Sequence, residues 1–152
     1  ASLISASARY GAMISGADEK VMDALTKFGE EIGTVFQLAD DIIDIASDTK
    51  ESGKTPGTDL REGVPTLVTL FILESNDPAD AELKALLSAP ITDETVVAET
   101  ILKLRSHSAL AKSRELVAGY GRSAQKHLEI LPEGPAKAAL VGLSQAVISR
   151  TA

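Results

Sequence analysis

Apolar positions along this chain fall at helical spacing. Val21, Leu25, Phe28, Ile32, Val35, Phe36 and Leu38 recur largely at three- and four-residue steps, and the pattern runs on to Ile45. That periodicity predicts one long amphipathic helix. Ahead of it, a small-residue-rich stretch from about Leu3 to Ile14 predicts a shorter helix ending before Gly16, and Asp18 stands where it would cap the long one. Gly29 and Gly33, four residues apart, weaken the long helix slightly and let another helix or a ligand come close. From Ser47 to Pro65 the periodicity stops at Gly53, Pro56, Gly57 and Gly63, which predicts a loop. Helices are then expected from Pro65 through Glu74, from Pro78 to Leu87, from Thr92 or Asp93 through Leu104, and from about Ser108 through Leu131. After the turn Pro132-Glu133-Gly134-Pro135, a last helix carries Leu140, Leu143 and Val147. The expectation is an all-α fold of about seven helices with no strand, in which Tyr10 and Tyr120 serve packing.

Composition narrows the class. The 152 residues are 44% apolar but only 3% aromatic, so Ala, Leu, Ile and Val must fill one domain core. Net charge is −7, with no basic stripe and no aromatic platform, which argues against a nucleic-acid partner. The absence of cysteine excludes disulfides and thiolate metal sites and suits a reducing compartment, so a cytoplasmic location is expected. No apolar run reaches the ~20 residues of a transmembrane helix. The opening Ala1-Ser2-Leu3-Ile4-Ser5-Ala6-Ser7-Ala8 reads like the middle of a helix. The chain is therefore expected to be the C-terminal part of a longer helical domain, residues 1–152 of which stand here without their N-terminal part.

Charge supplies the candidate chemistry. Seven acids lie between Asp40 and Glu62, against Lys50, Lys54 and Arg61. On a helix, Gln37, Asp40, Asp41 and Asp44 are i, i+3, i+4 and i+7 and share one face. Carboxylates so placed repel by roughly 3 kcal/mol per pair at ~6 Å and an effective dielectric of ~20. A hard divalent ion such as Mg²⁺, which takes one or two carboxylates plus substrate phosphates, would relieve this. The other reading is a solvated acidic face. Lys54, ten residues after Asp44, is either a surface lysine or a point charge for diphosphate oxygens. Gly53-Lys54-Thr55 is no P-loop, because Asp48 stands where that motif needs glycine. His107 and His127 have no ligand-spaced partner in the sequence and are expected at or near the surface.

Together, Phe36-Gln37-x-x-Asp40-Asp41-x-x-Asp44, then Gly53-Lys54, Asp59-Leu60-Arg61-Glu62-Gly63 and Pro65-Thr66-Leu67 resemble the second aspartate-rich region of the trans-type polyprenyl diphosphate synthases, the farnesyl and geranylgeranyl diphosphate synthase group. The resemblance is tight over Gly33–Leu67 and loose over the rest. It implies an isoprenoid-synthase helix bundle, usually a homodimer, in which two aspartate-rich motifs face each other and hold Mg²⁺ on an allylic diphosphate. Ionisation then lets isopentenyl diphosphate add, with loss of a proton. By position, Asp40 would ligate metal directly, with Asp41 and Asp44 in the same site partly through water. Gln37 and Lys54 would contact the allylic substrate or its diphosphate, and Asp40 and Lys54 are the expected catalytic residues. The family's first aspartate-rich motif has no counterpart here, and Val64 stands where many members carry lysine. The isolated segment is thus expected to be inactive. Two rival readings are a non-catalytic helical subunit regulating a synthase partner and another class I terpenoid enzyme.

Overall fold

The computed structural model describes residues 1–46 and 55–150. Among these residues there are eight α-helices and no strand: α1 Ser2–Ile14, α2 Glu19–Ala46, α3 Thr58–Glu62, α4 Leu67–Leu73, α5 Ala81–Leu87, α6 Glu94–Ser106, α7 Ser108–Lys126 and α8 Pro135–Ser149. Two 3₁₀ turns, Pro78–Asp80 and His127–Ile130, precede α5 and follow α7. The all-α expectation holds, with one helix more than the seven read from the sequence. No described helix is long and apolar enough to cross a membrane.

Two compact units are formed, Ala1–Ala39 with the chain from Leu116 onward, and Asp40–Glu115. In the first, α2 buries Leu25, Phe28, Ile32 and Val35, and α7 buries Val117 and Ala124. The α2 glycines serve the close approach that their spacing suggested. A Cβ on Gly29 would stand 2.5 Å from the Ser5 Cα, and one on Gly33 would stand 2.4 Å from the Ala1 Cα. Ser5 Oγ also donates to the Thr26 carbonyl at 3.1 Å, fastening α1 to α2. Asp18 caps α2 as expected, accepting from Val21 N–H at 2.9 Å.

In the second unit the core is Ile42, Ile45, Leu60, Val68, Ile72, Val97 and Leu104, all 5% exposed or less. Helix α3 corrects the loop expected there. Gly57 (φ 81°) and Gly63 (φ 69°) hold left-handed backbone at its two ends, a conformation glycine adopts without strain. They bound a helix rather than break one. A Cβ on Gly57 would also strike Ile101 and Val97 at 2.8 Å. The start of α4 is corrected too, from Pro65 to Leu67. Thr66 and Thr69 form a reciprocal capping box, with Thr66 N–H donating to Thr69 Oγ1 at 2.8 Å. Two packing expectations fail. Tyr10 is 59% exposed and Tyr120 45%, and of the three apolar residues expected to mark α8 only Val147 is buried, while Leu143 faces outward.

Candidate functional site

The acidic motif lies wholly inside α2, and the core fixes the rotation of that helix. Ile42 and Ile45 are buried, so the half-buried Asp40, Asp41 and Asp44 flank the apolar stripe. Gln37 is exposed on the same helix. Lys54 lies outside the described residues.

Each of two carboxylates meets backbone amides at the start of a following helix. The Leu67 amide at the first turn of α4 stands near Asp41 and favours its charged form. Burial pushes the Asp41 carboxyl above the ordinary aspartate range. The Leu67 amide works against that shift, while the charges of Asp40 and Asp44 add to it. Asp44 serves α3. Its Oδ1 accepts from Thr58 N–H at 3.3 Å, its Oδ2 from Asp59 N–H at 3.4 Å, and its backbone carbonyl from Gly57 N–H at 3.1 Å. Among the described residues, no three His, Cys, Asp or Glu side chains gather closely enough to hold a metal ion by themselves. The geometry gives a pair of neighbouring acids, Asp40 and Asp41, with Asp44 on the same helix charging their surroundings while it caps α3.

A second layer steadies this arrangement. Arg61 of α3 grips Glu94 of α6 with two hydrogen bonds, Nε to Oε1 at 2.8 Å and Nη2 to Oε2 at 2.7 Å, and its Nη1 donates to the Pro56 carbonyl at 2.8 Å. Arg105 Nε donates to the Ile45 carbonyl of α2 at 2.8 Å. Neither partnership is visible in the sequence, since the partners stand 33 and 60 residues apart. The histidines are half-buried, and each finds one carboxylate. His107 Nε2 lies 2.9 Å from Asp80 Oδ1, and His127 Nε2 lies 2.9 Å from Glu31 Oε1. His107 Nδ1 accepts from Ala109 N–H at 3.1 Å, so its Nε2 carries the proton toward Asp80.

A family model described as polyprenyl synthetase matches residues 1–104, and the chain belongs to that family. It is 44% identical over 149 residues to the nonaprenyl diphosphate synthase of Mycobacterium tuberculosis, covering 98% of this chain and 44% of that protein. It is 36% identical over 148 residues to a dimethylallyltranstransferase of the same organism, covering 97% of this chain and 44% of that protein. The fold is similar to that of geranylgeranyl pyrophosphate synthase from Corynebacterium glutamicum, whose crystal structure holds calcium and isoprenyl diphosphate. That comparison gives a TM-score of 0.90 and 38% identity, over 99% of this chain and 46% of the other. The chain spans about half the length of the curated relatives it matches.

Proposed function

We propose that this chain is the C-terminal share of a trans-type polyprenyl diphosphate synthase, which joins isopentenyl diphosphate to an allylic diphosphate with Mg²⁺. The carrying observation is the run Gln37-x-x-Asp40-Asp41-x-x-Asp44 inside one helix whose rotation is locked by Ile42 and Ile45, in a chain of this family.

The donor set suits a hard divalent ion. All of its ligands are carboxylate oxygens, and Mg²⁺ binds through one or two of them together with substrate phosphate oxygens. Asp41, raised by burial and by its two acidic neighbours, gains when a cation offsets that field. Asp40 and Asp41 would hold the ion and Asp44 would join through water, because its oxygens already accept the α3 amides. When bound, the ion neutralises charge developing on the departing diphosphate. Gln37 and Lys54 would bind the allylic substrate. A homodimer of the whole synthase belongs to the same reading.

The test is a chimera in which this chain replaces its counterpart in the mycobacterial nonaprenyl diphosphate synthase. The chimera should convert allylic and isopentenyl diphosphates in the presence of Mg²⁺, and Asp40→Ala should lower kcat/KM by on the order of 10² or more, as expected when a group that stabilises developing charge is removed. A folded chimera indifferent to Asp40→Ala would leave only a regulatory subunit. Turnover by the 152 residues alone would refute the half-site assignment.

A further inference from the structure

Helix α3 has five residues, too few to persist on its own hydrogen bonds. Its first turn reaches Asp44 through long bonds, 3.3 Å from Thr58 N–H and 3.4 Å from Asp59 N–H, where such a donor ordinarily stands ~2.9 Å from its acceptor. The short bonds lie at the other end. Arg61 makes two to Glu94 of α6, at 2.8 and 2.7 Å, and one to the Pro56 carbonyl at 2.8 Å. Beside it Leu60 is buried, and Ile91 N–H donates to the Leu60 carbonyl at 3.0 Å. The place of α3 is therefore set from α6, and Asp44 meets amides that Arg61 and Glu94 have already positioned.

Exposed ion pairs contribute little as a rule, but a guanidinium fork closing on a single carboxylate is the exception. The Glu94 hydrogen bond, against burial, and then the charges of Glu94 and Asp44 favour the charged guanidinium. Arg61 thus stands in the field of the same acid whose amides it places.

This clamp decides how many carboxylates an ion can reach. Both Asp44 oxygens accept from α3, which leaves Asp40 and Asp41 for direct ligation. One or two carboxylates with retained water suit Mg²⁺, whereas Ca²⁺ takes roughly 6–8 oxygens in a flexible shell and gains from each carboxylate added. We propose that Arg61 and Glu94 are positioning residues that set the ion selectivity of the acidic helix, keeping Asp44 on α3 so that Mg²⁺ is favoured over Ca²⁺. The inference rests on the metal reading proposed above.

The test is calorimetric titration of Mg²⁺ and of Ca²⁺, each alone, into the chimera and its variants. Arg61→Gln should shift the affinity ratio toward Ca²⁺ by ~10-fold or more, because a third carboxylate is released to the ion, and Glu94→Gln should shift it the same way. Amide exchange at Thr58 and Asp59 should quicken in both. In an Asp44→Asn background, Arg61→Gln should leave the ratio where it stands, since no third carboxylate remains to be released. Lys103→Ala, which breaks a 2.6 Å pair with Glu82, should move neither the ratio nor the exchange. An unmoved ratio in both single variants overturns the proposal, and so does an equal shift in the Asp44→Asn background, because Arg61 would then act on the fold and not through Asp44. A wild-type chimera that binds neither ion sinks the metal reading itself, whereas one that binds both with a ratio indifferent to Arg61 and Glu94 sinks this inference alone.

Discussion

Neutralising Asp41 should make the metal-free protein more stable and the metal-loaded protein no better. The substitution is Asp41→Asn, which keeps the size and shape of the side chain and removes its charge. Like charges at helical spacing cost ~0.2–0.5 kcal/mol per pair when exposed, and the half-buried setting of Asp41, with two acidic neighbours, raises that to about 1–2 kcal/mol in total. For a chain of this size that is roughly 2–8 °C in Tm. The pH sign follows from the direction of the shift. The folded-state carboxyl titrates above its unfolded value of ~3.9. Its contribution is therefore fully present below that value and is lost as pH rises through the folded-state one. Wild type in EDTA should lose stability over that interval and Asp41→Asn should not. Added Mg²⁺ should recover the loss in wild type, by about 1.4 kcal/mol at ten times Kd, and do little for the variant. Thermal melts followed at 222 nm, with and without Mg²⁺ from pH 4 to 8, read all three arms. If Asp41→Asn melts lower than wild type in EDTA at pH 7, or if Mg²⁺ raises both equally, the acids are not held in mutual strain awaiting a cation.

Gly29→Ala and Gly11→Ala are the same chemical change with opposite expected signs. At Gly29 the new Cβ meets Ser5 backbone at 2.5 Å, and overpacking should cost about 1–3 kcal/mol. At Gly11 the space is open, so the helix should gain up to ~1 kcal/mol, and urea midpoints at constant m would show both. Asp44→Ala should cost ~0.5–2 kcal/mol as a lost cap, whereas Asp44→Asn should be nearly neutral. Amide exchange at Thr58 and Asp59 separates the two, and equal protection in both variants would mean that Asp44 caps nothing. The Ser75 hydroxyl, then His107, hold the Asp80 carboxyl below its usual range. Its stabilising contribution is therefore present above ~3.9 and lost as pH falls through the folded-state value. Asp80→Asn should flatten that limb of an acid-unfolding curve, and an unchanged curve would discount the pairing.

What could be read from the sequence follows from how local each interaction is. Helix α2 was legible end to end because its burial repeats every three or four residues and Asp18 caps it three residues from the amide it serves. Helix α3 was not. Gly57 and Gly63 read as breakers, yet in left-handed backbone they terminate a five-residue helix, and its cap arrives from Asp44, fourteen residues upstream. Pro65 looked like a first-turn residue, but the Thr66–Thr69 capping box sets the start two positions later. Tyr10 and Tyr120 were expected to pack but lie on faces that the described residues leave uncovered. In the candidate site, the side chains were readable because they sit on one helix. Their partners, the amides of Leu67, Thr58 and Asp59, were not, since every residue but proline carries the same N–H.

The same comparison of local and long-range effects explains why the acids stay half-buried. Rolling α2 about its axis would keep the spacing of Asp40, Asp41 and Asp44 but turn them to water, which screens their repulsion, and it would carry Ile42 and Ile45 out of the core. Each isoleucine is worth about 1.5–3 kcal/mol when fully buried, so the pair opposes that rotation with ~3–6 kcal/mol. Solvent screening of these half-exposed side chains brings the repulsion down from the roughly 3 kcal/mol per pair of an effective dielectric of ~20 to about 1–2 kcal/mol in total. The core wins by a clear margin, and the carboxylates are held in an arrangement that they would not adopt by themselves. On the proposed reading, a cation would bind to acids already held against their mutual repulsion by Ile42 and Ile45, and those two isoleucines would be part of the preorganisation of the site.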